Sequence, residues 1–194
     1  MKVTKAQAQA NHARIVETAS TLFRERGYDG VGVADLMAAA GFTHGGFYKH
    51  FGSKADLMAE AAACGLSQTV ALTGTVDIPG FIRQYVSRNH RDARAAGCTL
   101  AALGGDAARQ PEAVRARFAA GIEDLLVALE REDEVPDAMD RQQARAQRID
   151  TLAHVIGAIV LSRACPDDAP LADEILEVCR DALLAPYMRQ PGET

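Results

Sequence analysis

The chain has 194 residues and a mass of 20.7 kDa, with 48% hydrophobic and 24% charged residues. That is ordinary globular composition and excludes wholesale disorder. The longest strongly apolar run, Leu152 to Leu161, is too short to cross a bilayer, and the N-terminal segment lacks a signal peptide's apolar core, so a cytoplasmic protein is expected.

The net charge of −5 disfavours a nucleic-acid partner on its face, but the distribution does not. Residues 1–58 carry seven basic and five acidic side chains, a net +2 that leaves −7 on the remainder. A mildly basic head on an acidic body fits a head with its own electrostatic task. Cys64, Cys98, Cys165 and Cys179 are scattered with no CxxC, which argues against a disulfide framework or zinc finger and for reduced thiols. Alanine is abundant and long alternating β-branched runs are missing, so an all-α fold is predicted.

In chain order, Ile15, Ala19, Leu22 and Phe23 form one apolar stripe of a first helix, which Gly27 ends. A short helix follows from Val33 with Leu36, Met37 and Ala40 on one face, stopping at Gly41. Phe42 precedes the N-cap Thr43, and a helix of two turns is predicted to end near Phe51. Ser53 to Asp56 matches a capping box and opens a longer helix. After a turn-rich stretch from Leu72 to Gly80, helices are predicted at about 79–95, 98–109, 111–131, 141–164 and 170–187. An acidic loop around Pro136 and the segment CPDDAP interrupt the later ones.

Two short helices joined by a tight turn at Gly41, behind a longer helix, have the pattern of a helix-turn-helix at about 32–51. Its second short helix carries His44, Gly45, Gly46, Tyr48, Lys49 and His50 on a small, polar and basic face, while Phe47 and Phe51 read as core. Tyr48, Lys49, His50 and Lys54 have donors suited to phosphates, and glycines permit close approach to DNA. His44 and His50 stand six apart on different helix faces, so no metal site is expected there. His90 and His154 are isolated and read as structural histidines.

The stretch GYDGVGVADLMAAAGFTHGGFYKHFGSKADL resembles the DNA-binding head of the tetracycline-repressor (TetR/AcrR) family of bacterial regulators, with the likeness extending over residues 9–69. The resemblance implies Thr43, Tyr48, His50 and Lys54 on the DNA backbone, and His44 and Gly45 near bases. It also implies a DNA-binding domain over 1–52 and an effector-binding and dimerisation domain over 53–194. The chain departs from the family at Gly32, where a Ser or Thr commonly caps the second helix; glycine offers no hydroxyl to a phosphate.

For the effector, Phe81, Tyr85, His90, Cys98, Thr99, Leu103, Phe118 and Ile122 are the candidate lining, bulky walls beside the small Gly97, Gly104 and Gly105. The acidic body favours a neutral or cationic effector over an anionic one, and the bulky lining makes an apolar one expected. The segment around Leu152, Ile156, Ile159 and Val160 is apolar nearly all round. It fits either a central core helix or a homodimer seam shared with Ile175, Leu176, Cys179 and Leu183.

The expected function is a ligand-responsive homodimeric repressor of a palindromic operator, nucleoid-associated when bound, with no cofactor and no membrane partner. A thiol or electrophile sensor using Cys98, at a helix start where amide dipoles favour a thiolate, is one alternative. A helical enzyme is another, but no GxSxG, HExxH or phosphate loop is present.

Overall fold

The computed structural model describes residues 4–130 and 138–188, which are helical with no strand among the described residues. The all-α expectation holds. No helix among these residues is long and apolar enough to cross a membrane. The chain forms two compact units, one of residues up to Thr69 with Arg94–Ile122, the other of Val70–Ala93 with residues from Glu123 onward. The chain passes between them at Thr69–Val70, Ala93–Arg94 and Ile122–Glu123, the first and last of these within helices.

The first unit begins with α1 (Lys5–Arg26), capped by Thr4 Oγ1, which accepts from the Gln7 N–H at 3.2 Å. Its stripe of Ile15, Ala19 and Phe23 is fully buried, as the apolar spacing predicts. Burying each large side chain of this kind contributes about 1.5–3 kcal/mol. Gly27 ends α1 at φ +74°, a left-handed conformation that side chains resist. The next helix, α2 (Val33–Ala39), buries Leu36 and Met37. Gly32 caps it through its own N–H, donated to Asp35 Oδ2 at 3.3 Å, so the box lacks only the hydroxyl half.

Gly41, at φ +83°, makes the turn into a single 3-10 helix at His44–Lys49 rather than two α-helical turns. Thr43 occupies the cap position, but its side chain makes no cap hydrogen bond. The following helix, α3 (Lys54–Thr73), starts where expected, with Ser53 Oγ accepting from the Asp56 N–H at 3.2 Å.

The predicted helix at 79–95 is three pieces: α4 (Ile78–Tyr85), α5 (Arg88–Asp92) and a 3-10 turn at Arg94–Ala96. The break is local chemistry. Ser87 is extended and its Oγ accepts from the His90 N–H at 3.2 Å, starting a fresh helix that a continuous one would forbid. Then come α6 (Thr99–Ala107), α7 (Glu112–Ala128), α8 (Ala138–Ala164) and α9 (Pro170–Met188), close to their expected spans. In the second unit, α9 packs along α8 and α4, and α5 packs on α8.

Arg91 on α5 is 1% exposed and anchors that unit. Its guanidinium donates to Ser162 Oγ at 3.0 Å, to the Cys165 carbonyl at 3.2 Å, and to Asp92 and Asp167 at 2.6 and 2.9 Å. A buried charge persists only when paired and bonded in this way.

Candidate nucleic-acid interface

The surface of interest is built from the inside outward. Phe47 (1% exposed) and Phe51 (4%) stack at 5.5 Å and fix the short helix to its own core. That leaves Thr43, His44, Gly45, Tyr48 and Lys49 exposed together on the outer side, with Tyr48 71% accessible. No atom comes within 4 Å of the position a Cβ would take on Gly45, so the backbone there is open to a close approach. A large aromatic ring left in water on a helix braced from beneath is a ready contact for a polyanion, through its hydroxyl and its flat face.

His50 and Lys54 lie differently from the other five. His50, at the C-cap, is half-buried among aromatic rings, 6.0 Å from His12 and 6.3 Å from Phe42. Burial first, then His12 and Lys49, pull its imidazole below the ordinary histidine value, so near neutral pH it is an uncharged donor. His12 Nε2 lies 2.6 Å from Glu60 Oε2, tying α1 to α3 beneath the short helix. Lys54 gives its ammonium to the Tyr28 carbonyl at 2.6 Å and sits 5.9 Å from the centre of the Phe23 ring. Its charge serves the joint between α1, α2 and α3.

Sequence reasoning missed the polar framework of this unit. Arg24 is 8% exposed; its Nε donates to the Ala95 carbonyl at 2.8 Å and its Nη1 to Ser20 Oγ at 2.7 Å. Burial lowers its pKa from the usual arginine range. A Cβ on Gly65 would lie 2.5 Å from Arg24 Nη1 and 2.7 Å from Ser20 Oγ, so only glycine lets α3 approach α1 this closely. Asp106 on α6 accepts from the Tyr28 N–H at 3.4 Å. The one local signal was Ser20 and Arg24 at i, i+4 on the buried side of α1.

The eight residues expected around an effector divide between the units. Phe81, Tyr85 and His90 belong to the second, and their rings touch in sequence at 5.2 and 4.4 Å. His90 Nδ1 lies 2.7 Å from the Tyr85 carbonyl, and burial holds the imidazole below its ordinary value. Cys98, Thr99 and Leu103 belong to the first unit and are buried on or beside α6, with Phe118 buried on α7 and Ile122 38% exposed. Cys98 is the N-cap of α6, 4% exposed, and makes no cap bond through its side chain.

The expected dimer seam also separates into two classes. Leu152, Ile159, Leu176 and Leu183 are buried within the single chain, so they serve its own core. Ile156, Val160, Ile175 and Cys179 remain accessible. The open apolar stripes run instead along Ile149, Ile156 and Val160 on α8, at i, i+7 and i+11, and along Leu171, Ile175 and Val178 on α9, at i, i+4 and i+7. Ile149 lies just before the longest apolar run, and Leu171 and Val178 stand among polar neighbours on α9, so no continuous apolar run marks any of the three in the sequence.

Residues 15–61 match the family described as bacterial regulatory proteins, tetR family. The HTH-type transcriptional regulator TtgR of Pseudomonas putida is 42% identical over 55 residues, covering 28% of this chain and 26% of that protein. The match therefore spans about a quarter of that relative's length. An uncharacterised HTH-type transcriptional regulator of Mycobacterium tuberculosis is 27% identical over 192 residues, covering 91% of this chain and 96% of its own. The crystal structure of a TetR-family regulator from Agrobacterium tumefaciens superimposes with a TM-score of 0.65 at 24% identity. It covers 92% of this chain and 98% of that one, a likeness of fold. Residues 15–61 of this chain thus match the helix-turn-helix of bacterial regulatory proteins of the tetR family, and the chain shares the fold of a solved TetR-family regulator.

Proposed function

We propose that the protein is a homodimeric, ligand-responsive regulator of transcription, most simply a repressor that occupies a palindromic operator until a small molecule releases it. The observation that carries this is the exposed group of Thr43, His44, Gly45, Tyr48 and Lys49 on a helix pinned from beneath by Phe47 and Phe51. In this reading residues 1–52 are the DNA-binding head, and residues 53–194 provide effector binding and dimerisation. Thr43, Tyr48, Lys49 and His50 contact phosphates, and His44 and Gly45 lie against base edges.

The paired apolar stripes on α8 and α9 support a second copy of the chain as the partner. Two heads related by a two-fold axis would read half-sites spaced about 34–36 Å or a multiple. The head shares its compact unit with residues 94–122, bonded through Arg24 to Ala95 and through Tyr28 to Asp106. Displacement of that segment by an effector would therefore reach α1 directly. An effector that lowers operator affinity a hundredfold needs about 2.7 kcal/mol of preference for the released state.

The test is unbiased selection of bound fragments from genomic DNA, followed by titration of the enriched sequence. The expected result is an inverted repeat bound by two chains. Enrichment of no sequence, with the same weak affinity for every duplex, would overturn the reading.

A further inference from the structure

A cation outside the helix-turn-helix is fastened to its turn. Arg14, on α1 and exposed, holds its guanidinium carbon 5.9 Å from the centre of the Phe42 ring. A Cβ placed on Gly41 would lie 3.3 Å from its Nη2 and 3.7 Å from its Cζ, so the guanidinium rests against the bare backbone of the turn. The turn is itself fixed. The Gly41 N–H donates to the Ala38 carbonyl at 3.0 Å, and the Phe42 N–H to the Met37 carbonyl at 2.8 Å. Contacts with two consecutive residues thus place a positive charge immediately before Thr43 and His44, within the same compact unit.

Other cations of this region have protein partners. Arg24 bonds the Ala95 carbonyl and Ser20, Arg26 lies 3.4 Å from Glu25, and Lys54 bonds the Tyr28 carbonyl. Arg14 forms no ion pair with a carboxylate among the described residues, and its guanidinium donates no hydrogen bond to them. An arginine steadied by an aromatic ring and a turn, yet left without an anion, keeps its planar fork of donors open to a phosphate. The ring contact also restricts its rotamers beforehand, so less freedom is lost when the anion arrives.

We propose that Arg14 binds a phosphate of double-stranded DNA, so that the operator backbone is gripped from α1 as well as from Tyr48 and Lys49 on the 3-10 helix. The assignment deepens the regulator reading and rests on it. A phosphate is the expected partner rather than a base edge, because the guanidinium sits at the turn before the recognition helix and not on that helix. The contact adds affinity without sequence preference.

Titration of the full chain with the selected operator and with a random duplex, at several salt concentrations, tests the proposal. Arg14→Gln should bind both at least about tenfold more weakly, with the slope of log affinity against log salt reduced by about 1. Arg14→Lys keeps the charge and should restore the slope, but only part of the affinity, because an ammonium lacks the planar fork. Both variants should melt within about 1–2 °C of the parent, as expected for an exposed side chain. Ethylation of single operator phosphates gives a readout that a merely structural role would not move. One phosphate whose ethylation weakens the parent should leave Arg14→Gln unaffected.

An unchanged salt slope in Arg14→Gln, a loss confined to the operator, or an ethylation pattern identical to that of the parent would each overturn the assignment. The two readings fail separately. A parent that selects an operator while Arg14→Gln keeps its salt slope removes only the phosphate contact. A parent that binds every duplex alike, with the slope reduced in Arg14→Gln, removes the regulator reading and leaves the contact. A parent that binds no DNA overturns both.

Discussion

The ammonium of Lys54 lies 2.6 Å from the carbonyl oxygen of Tyr28, joining the start of α3 to the turn between α1 and α2. The N–H of the same Tyr28 donates to Asp106 on α6, so both polar atoms of one peptide residue are held by distant elements. The lysine that the sequence assigns to the DNA backbone also braces the geometry of the head. Lys54→Met should therefore lower stability by about 1.5–3 kcal/mol, the scale of a hydrogen bond from a charged group. It should weaken DNA binding with the salt dependence unchanged. A salt slope reduced by about 1 would instead place Lys54 on a phosphate.

Tyr48 and Lys49 carry the opposite expectation. Both are exposed, so Tyr48→Ala and Lys49→Ala should leave the melting temperature within about 1–2 °C of the parent. Operator affinity should fall in both. Loss of the charge at Lys49 should reduce the slope of log affinity against log salt by about 1, equally on specific and random duplexes. Wild-type affinity in both variants would remove this face from the interface.

The half-buried His90 predicts a pH dependence of stability. Burial, the largest influence, disfavours its charged form, and the nearby Arg163 adds to this, while the bond to the Tyr85 carbonyl opposes them. The folded chain therefore binds this proton less readily than the unfolded chain, whose histidine titrates near 6.5. The stabilising contribution is complete above that value and is lost as pH falls through the lower folded pKa. Urea midpoints measured at about pH 7.5 and 5.5 should fall more steeply for the parent than for His90→Gln, which cannot charge. Equal slopes would mean that His90 protonates as easily in the folded state.

Val178 is 62% exposed on α9, where a charge costs a lone chain little. In a dimer seam, the same charge would be desolvated at a cost of several kcal/mol. Val178→Asp and Val160→Asp should thus remain helical and melt cooperatively, yet run as monomers in light scattering. Operator affinity should collapse as the two heads uncouple. A parent chain that is itself monomeric at micromolar concentration would remove the seam.

Local patterns made much of this protein legible from sequence alone. Apolar residues at helical spacing fixed α1 and α2, and the fully buried Ile15, Phe23, Leu36 and Met37 lie where that spacing puts them. Gly27 and Gly41 marked stops that need positive φ, and Ser53 marked a start through its own side chain. These signals act within about one helical turn and need no knowledge of the rest of the chain. The exposed set at Thr43, His44, Gly45, Tyr48 and Lys49 was legible for the same reason: Phe47 and Phe51 determine which side of a short helix faces inward.

Tertiary contacts decided the rest. Lys54 and Tyr28 are 26 positions apart, Arg24 and Ala95 are 71, and Arg91 and Ser162 are 71, separations at which no periodicity links the partners. A lysine reads as a surface charge until a carbonyl is seen in front of it. The longest apolar run on α8 reads as either core or seam until the fold buries Leu152 and Ile159 and leaves Ile149, Ile156 and Val160 accessible. Sequence alone determined which residues are apolar, where helices begin and stop, and which short helix meets water. Only packing determined which apolar faces the chain keeps for itself and which charges it spends inside, because burial is settled by neighbours distant in sequence.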